Sequence, residues 1–197
     1  MNLPNKITVG RIVLAVIVMI LLVFPFHQVG FTWPSYLLAG RVVINLKYVI
    51  CGVLFAIASV TDFLDGSIAR KQGIVTEFGK VMDAIADKVL VNGVLIALAY
   101  DRFIPVIVPV IIITRDIAVD SIKMVAGAKG KAVAASFLGK MKTVFMLVGI
   151  ILVFCYNLPF ILLGIELGDY LVYVATVLSI YSGIQYYQVN KEFIKER

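Results

Sequence analysis

Histidine, cysteine and tryptophan are nearly absent from this chain, which has one, two and one of them respectively. A single histidine, His27, excludes a His-based zinc site, and no Cys/His cluster with metal-ligand spacing occurs. The two cysteines, Cys51 and Cys155, sit in separate apolar runs and read as buried free thiols rather than a disulfide or a metal pair. Charge is scarce too: only 15% of residues are Asp, Glu, Lys or Arg. No G-x-S-x-G element and no P-loop is present, so serine-hydrolase and P-loop nucleotide chemistry have no residues to run on. Internal repeats, low-complexity tracts, a cleavable signal peptide and a second domain all go unseen, so residues 1–197 read as a single domain.

What the chain has instead is apolar mass. It is 61% hydrophobic, with a mean hydropathy of +1.02, against about 45–50% apolar for ordinary globular domains. A membrane-spanning helix needs about 20 mostly apolar residues, and roughly six such stretches follow one another. They run Thr8–Phe26, Leu46–Arg70, Gly79–Tyr100, Phe103–Val125, Ala134–Tyr156 and Asp169–Gln188. The expected fold is all-α: a polytopic bundle of six transmembrane helices. Pro4-Asn5 is read as a break before the first span, with Asn2–Ile7 lying along the interface. Trp33 and Tyr36, beside Pro34 in the first outer loop, read as interface anchors.

Orientation comes from the basic residues, which favour short cytoplasmic loops. With both termini inside, Lys6, Arg11, Arg70, Lys71, Arg115, Lys140, Lys142 and Lys191 fall on the cytoplasmic side. Only Arg41, Lys47 and Arg102 fall outside. The net charge of +6 then serves topology and anionic lipid rather than nucleic acid. The expected location is the cytoplasmic membrane, multi-pass. Stretches two, three and four are each apolar in one half and polar in the other, and all three polar halves face inward. A polar cavity opening to the cytoplasm follows, because polar structure at membrane depth is tolerated where it lines such a cavity.

Those polar halves hold the chemistry. Asp62 and Asp65 are spaced i, i+3; Asp83 and Asp87 are spaced i, i+4. On helices each pair shares one face, with Cβ atoms roughly 5–6 Å apart. Acids in lipid are costly and mark function by default. One pair alone would also fit a helix ending at the interface. Two pairs on adjoining helices form an oxygen-rich set suited to Mg²⁺ or Mn²⁺. Gly66, Ala69 and Gly79 are small enough for helix packing or for close approach of a ligand. Arg70 reads as a phosphate clamp or a snorkelling arginine. Arg115 lies a turn or more inside a stretch, with Asp116 and Asp120 nearby. It is either a salt-bridged structural residue or part of a second anion pocket with Lys140. His27 lies at the opposite end. Clustering of the acids on one side, with no inverted repeat, argues against an ion or proton transporter. Metal-assisted phosphoryl-type transfer on a lipid-linked substrate fits these residues.

The run Asp62-x-x-Asp65-Gly66-x-x-Ala69-Arg70-(x)8-Gly79-x-x-x-Asp83-x-x-x-Asp87 resembles, without a gap, the signature of the CDP-alcohol phosphatidyltransferase family. The resemblance implies a six-helix, homodimeric membrane enzyme that displaces CMP from a CDP-linked lipid with an alcohol, using Mg²⁺ or Mn²⁺. It implies that Asp62, Asp65 and Asp83 bind metal, and that Asp87 is the general base and helps hold a second ion. Gly66, Ala69, Arg70 and Gly79 would line the CDP site. Three further segments are similar to the glycerol-3-phosphate branch of the family: Asn2–Arg11, Ile113-Thr114-Arg115 and Leu138–Thr143. They imply CDP-diacylglycerol as donor and sn-glycerol 3-phosphate as acceptor, the acceptor phosphate being held by Arg115 and Lys140, with Arg11, Thr8 and Lys142 behind them. Two positions depart from the pattern: Asp116 stands where Glu is common, and Phe145 and Met146 fill a region where Gln is common. Inositol phosphate, serine or phosphatidylglycerol is the alternative acceptor.

Overall fold

A computed structural model describes residues 3–38, 40, 42–72, 77–130, 133–134 and 136–194; the side chains of residues 3–8, 62–72, 77–84 and 192–194 lie outside that description. Among the described residues, six α-helices account for most of the length: α1 (Leu3–Val23), α2 (Leu46–Gln72), α3 (Glu77–Tyr100), α4 (Ile107–Ala128), α5 (Phe137–Phe154) and α6 (Leu167–Ile194). The six apolar stretches each become one helix, with shifted ends. Pro4 does not break the chain before the first span. It sits in the first turn of α1, where the missing N–H would have no intrahelical acceptor anyway. For the same reason α4 tolerates Pro109 in its first turn.

A feature absent from the expectation is an antiparallel hairpin between α1 and α2. Its strands are β1 (Ser35–Leu38) and β2 (Val42–Asn45), in register Ser35 with Asn45 and Leu38 with Val42. The backbone N–H of Asn45 donates to the Tyr156 hydroxyl at 2.9 Å, which ties the hairpin to the α5–α6 turn. Trp33 packs edge-on against Phe26 and Phe31 with ring centroids 5.3 and 5.2 Å apart, and Tyr36 is exposed. Cys51 is buried and Cys155 half-buried, and neither is in a disulfide.

The core runs through all six helices and includes Phe55, Leu90, Leu98, Ile112, Met146, Ile150 and Phe154, each at most 2% exposed. Helices α5 and α6 form the most extensive pairing, and α4 packs on α6. Glycines allow the α5–α6 backbones to approach: a Cβ on Gly149 would fall 3.0 Å from the Gly168 carbonyl oxygen. Small residues at helix crossings serve membrane bundles, where backbone contact replaces the hydrophobic effect between helices. Among the described residues, two helical segments, Phe137–Phe154 and Leu167–Lys191, are long and apolar enough to cross a membrane. On α6 the exposed positions include Tyr170, Tyr173, Val174, Val177, Ile180, Tyr181 and Ile184, an outward stripe at helical spacing. Hydroxyls on the helices bond back to their own carbonyls, as Thr61 does to Ile57 at 2.7 Å and Thr176 to Val172 at 2.8 Å. That removes a polar group that lipid would leave unsatisfied.

Candidate active site

The four motif aspartates fall in two consecutive helices. Asp62 and Asp65 lie in the last turns of α2, and Asp83 and Asp87 in the first turns of α3. Only residues 73–76 separate the two helices, so both pairs belong to the same end of the bundle. The side chains of Asp62, Asp65, Gly66, Ala69, Arg70, Gly79 and Asp83 lie outside the described residues, as does that of Thr8. Among the described residues, no three His, Cys, Asp or Glu side chains form a metal-binding group.

Asp87 is described, and it opens onto a cavity of about 260 Å³ between α3, α4, α5 and α6. Lys88 and Asn92 line it from α3, and Arg115, Asp116, Asp120 and Lys123 from α4. Gly139, Lys140, Lys142 and Thr143 contribute from α5, and Tyr186 from α6. The structure therefore brings together Asp87, Arg115, Lys140 and Lys142 from the expected site. It does not bring Arg11 to this wall. Arg11 is 1% exposed on α1 and is not among the residues lining the cavity. His27 lines a different cavity, with Trp33, Lys47 and Asp101.

Arg115 is held on three sides. Its Nη1 donates to Asp116 at 2.9 Å, its Nη2 to the Ser182 hydroxyl at 2.6 Å, and its Nε to the Ser179 carbonyl at 3.2 Å. Arg115 is thus paired with Asp116 and also lines the cavity. Asp116 has a second cation. Lys142, only 7% exposed, donates to both carboxylate oxygens at 2.7 and 2.8 Å. One carboxylate thereby fixes a guanidinium from α4 and an ammonium from α5. Asp120 is not a partner of Arg115; it pairs across the helices with Lys88. Lys140 is exposed.

Helix α6 supplies what the sequence reading missed. Ser179, Ser182, Gly183 and Tyr186 follow the i, i+3, i+4, i+7 spacing of one helix face. The two serines are fully buried, and the Ser182 hydroxyl donates to the Ser179 carbonyl at 3.1 Å. Gly183 leaves room for the Arg115 stem, since a Cβ there would lie 3.0 Å from Arg115 Cγ. The signal was legible as a polar and small-residue stripe on a helix with no charge in its middle. At the start of α5, Ser136 is the N-cap and accepts from the Gly139 N–H at 3.1 Å.

Chemically, the cavity combines a carboxylate at one edge with a wall of lysines and one arginine. Five cationic side chains face three carboxylates, a surplus of two positive charges. Such a site accepts an anion of about two charges next to a group able to take a proton.

Comparison with known proteins gives the family. The family model of the CDP-alcohol phosphatidyltransferases matches residues 1–181. A Bacillus subtilis protein named CDP-diacylglycerol–glycerol-3-phosphate 3-phosphatidyltransferase is 39% identical over 194 residues, covering 98% of this chain and 97% of its own. A Haemophilus influenzae protein of the same name is 32% identical, covering 96% of this chain and 94% of its own. Among solved structures, the apo form of phosphatidylinositol phosphate synthase from Mycobacterium tuberculosis matches with a TM-score of 0.60. That match covers 100% of this chain and 94% of that one at 18% identity, and carries the fold alone. Family signature, length and helical architecture converge: this chain belongs to the CDP-alcohol phosphatidyltransferase family.

Proposed function

We propose that this protein transfers a phosphatidyl group from CDP-diacylglycerol to sn-glycerol 3-phosphate, giving phosphatidylglycerol phosphate and CMP. The observation that carries the acceptor is the cationic wall of Arg115, Lys140 and Lys142 facing Asp87 across one cavity. A phosphate monoester carries about −1.5 to −2 charges at neutral pH, which matches the surplus of two. The relatives' names point to the same acceptor.

In this reading Asp87 accepts the proton of the acceptor's free primary hydroxyl. The oxygen so released attacks the phosphorus that bears the diacylglycerol. A new P–O bond forms, the pyrophosphate P–O bond breaks, and CMP leaves with the electron pair. Arg115 and Lys140 hold the acceptor phosphate, with Lys142 and Asp116 fixing Arg115 from behind. Gly66, Ala69, Arg70 and Gly79 hold the CDP moiety. The donor set of Asp62, Asp65, Asp83 and Asp87 is all hard oxygen at one end of the bundle, which fits Mg²⁺ or Mn²⁺. Such an ion, when bound, supplies charge neutralisation of the pyrophosphate and of the leaving group.

The lipid-linked donor places the protein in the membrane. Exposed aliphatic residues on every helix, among them Val13 and Ile20 on α1, Val53 and Ile57 on α2, Val89 and Ile96 on α3 and Val110 and Ile117 on α4, support six spans. The positive-inside pattern supports both termini and the site on the cytoplasmic side. The family resemblance supports a homodimer.

The test is CMP release by purified protein in detergent with CDP-diacylglycerol and Mg²⁺, comparing glycerol 3-phosphate, inositol phosphate, serine and phosphatidylglycerol. Release with glycerol 3-phosphate alone is expected. Release only with another alcohol would overturn the acceptor assignment.

A further inference from the structure

Tyr186 does two unrelated things at once. Its ring covers Arg115, with the guanidinium carbon 5.5 Å from the ring centroid, and Lys123 Nζ lies at the same distance. Its hydroxyl accepts from the Ser136 N–H at 2.9 Å and donates to the Ala134 carbonyl at 3.2 Å. Ser136 is the residue that caps α5. A single α6 side chain, 5% exposed, therefore joins the guanidinium on α4 to the entry of the helix that carries Lys140 and Lys142. The hold on Tyr186 is itself reinforced, because the buried Asn190 amide donates to its carbonyl at 2.8 Å one turn later.

Two consequences follow from the chemistry. A cation over a ring face is attracted by the ring quadrupole, more so when desolvated, so the ring restrains the guanidinium without using any of its N–H donors. The hydroxyl satisfies a backbone donor and acceptor just ahead of α5, where no helical bond is available to them. Neither contact touches the carboxylate motif. Resting on the functional reading above, we propose that Tyr186 is a positioning residue for the acceptor phosphate: it sets the spacing between Arg115 and the α5 lysines, and thereby selects phosphorylated over unphosphorylated alcohols.

The test is steady-state kinetics on the full-length protein in detergent, with Tyr186→Phe and Tyr186→Leu. Phe keeps the ring and loses both hydroxyl bonds. Each such bond contributes modestly, so the KM for glycerol 3-phosphate should rise roughly fivefold. kcat and the KM for CDP-diacylglycerol should stay within about twofold of the original. Leu removes the ring as well and should raise the acceptor KM roughly a further tenfold, with weaker discrimination between glycerol 3-phosphate and glycerol. A merely structural role would instead lower kcat or raise both KM values together, and that outcome overturns the proposal, as does an unchanged acceptor KM in Tyr186→Phe. Ser136→Pro removes the N–H that donates to Tyr186, at a φ of −71° that proline adopts, and should reproduce the acceptor-KM effect; it is read in place of Tyr186→Phe if that variant does not fold. Absence of turnover with glycerol 3-phosphate in the parent protein would reject the functional reading. In that case inorganic phosphate binding by calorimetry decides about Tyr186: weaker binding in the Phe variant sustains the proposal, and equal binding overturns it.

Discussion

Replacing Asp116 with asparagine would strip two cations of their shared counter-charge while keeping the shape of the side chain. In the native arrangement the side chains of Arg115, Asp116 and Lys142 are 13%, 22% and 9% exposed. Removing one partner of a buried pair costs about 3–5 kcal/mol, because it strands the other charge. Asp116 retains some solvent, and asparagine can still accept one hydrogen bond, so about 2–3 kcal/mol is the reasonable loss here. For a chain of this size each kcal/mol moves the midpoint by about 2–4 °C, which gives a fall of roughly 5–10 °C. The assay is thermal unfolding in detergent, followed by intrinsic fluorescence or by a thiol-reactive dye at Cys51. The paired variant Asp116→Asn/Lys142→Met removes the stranded ammonium and should recover more than half of the loss. Arg115 keeps its bonds to Ser179 and Ser182 in both variants. A single variant within about 2 °C of the parent, or a double variant no better than the single, would refute the shared-counterion argument.

Asp87→Asn should abolish CMP release while leaving CDP-diacylglycerol binding largely intact, measured by equilibrium binding of the nucleotide lipid; unchanged turnover would remove Asp87 as the base. Gly149→Ala drives a Cβ to 2.8 Å from Val172 Cγ2 and 3.0 Å from the Gly168 carbonyl, and should destabilise by about 1–3 kcal/mol. Gly127→Ala, a helical position on α4 with nothing within 4 Å, should instead be neutral or slightly stabilising. Equal melting shifts for the two glycine variants would argue against the close α5–α6 approach.

How much of this was legible beforehand differs by element. Long apolar runs announce helices reliably, and each of the six did become one. Their ends were less legible. Proline looks like a stop, yet at Pro4 and Pro109 it occupies the one turn where its missing N–H costs nothing. The hairpin was hidden because its strands are four residues each, and Val42-Val43-Ile44 reads as more apolar sequence rather than as a period-two pattern. In the site, Asp87 and Arg115 could be named from charge in a greasy context, Lys140 and Lys142 with the family resemblance, and all four line one cavity. Arg11 was named through the family resemblance; it is buried on α1 and is not among the residues lining the cavity. Tyr186 and Ser182 escaped notice because uncharged residues in the uncharged middle of α6 give no electrostatic signal. Their role shows only when α4 is laid against α6.

The division of the site between helices has an evolutionary corollary. The carboxylate motif belongs to α2 and α3, whereas the wall of Arg115, Lys140 and Lys142 belongs to α4 and α5, both of which pack on α6. Under the proposed reading, the half that handles the nucleotide and the half that chooses the alcohol are separate modules on one chain. Substitutions on the second module can retune the acceptor while the reaction centre stays untouched, so a single scaffold can diversify into many headgroups without reinventing its chemistry.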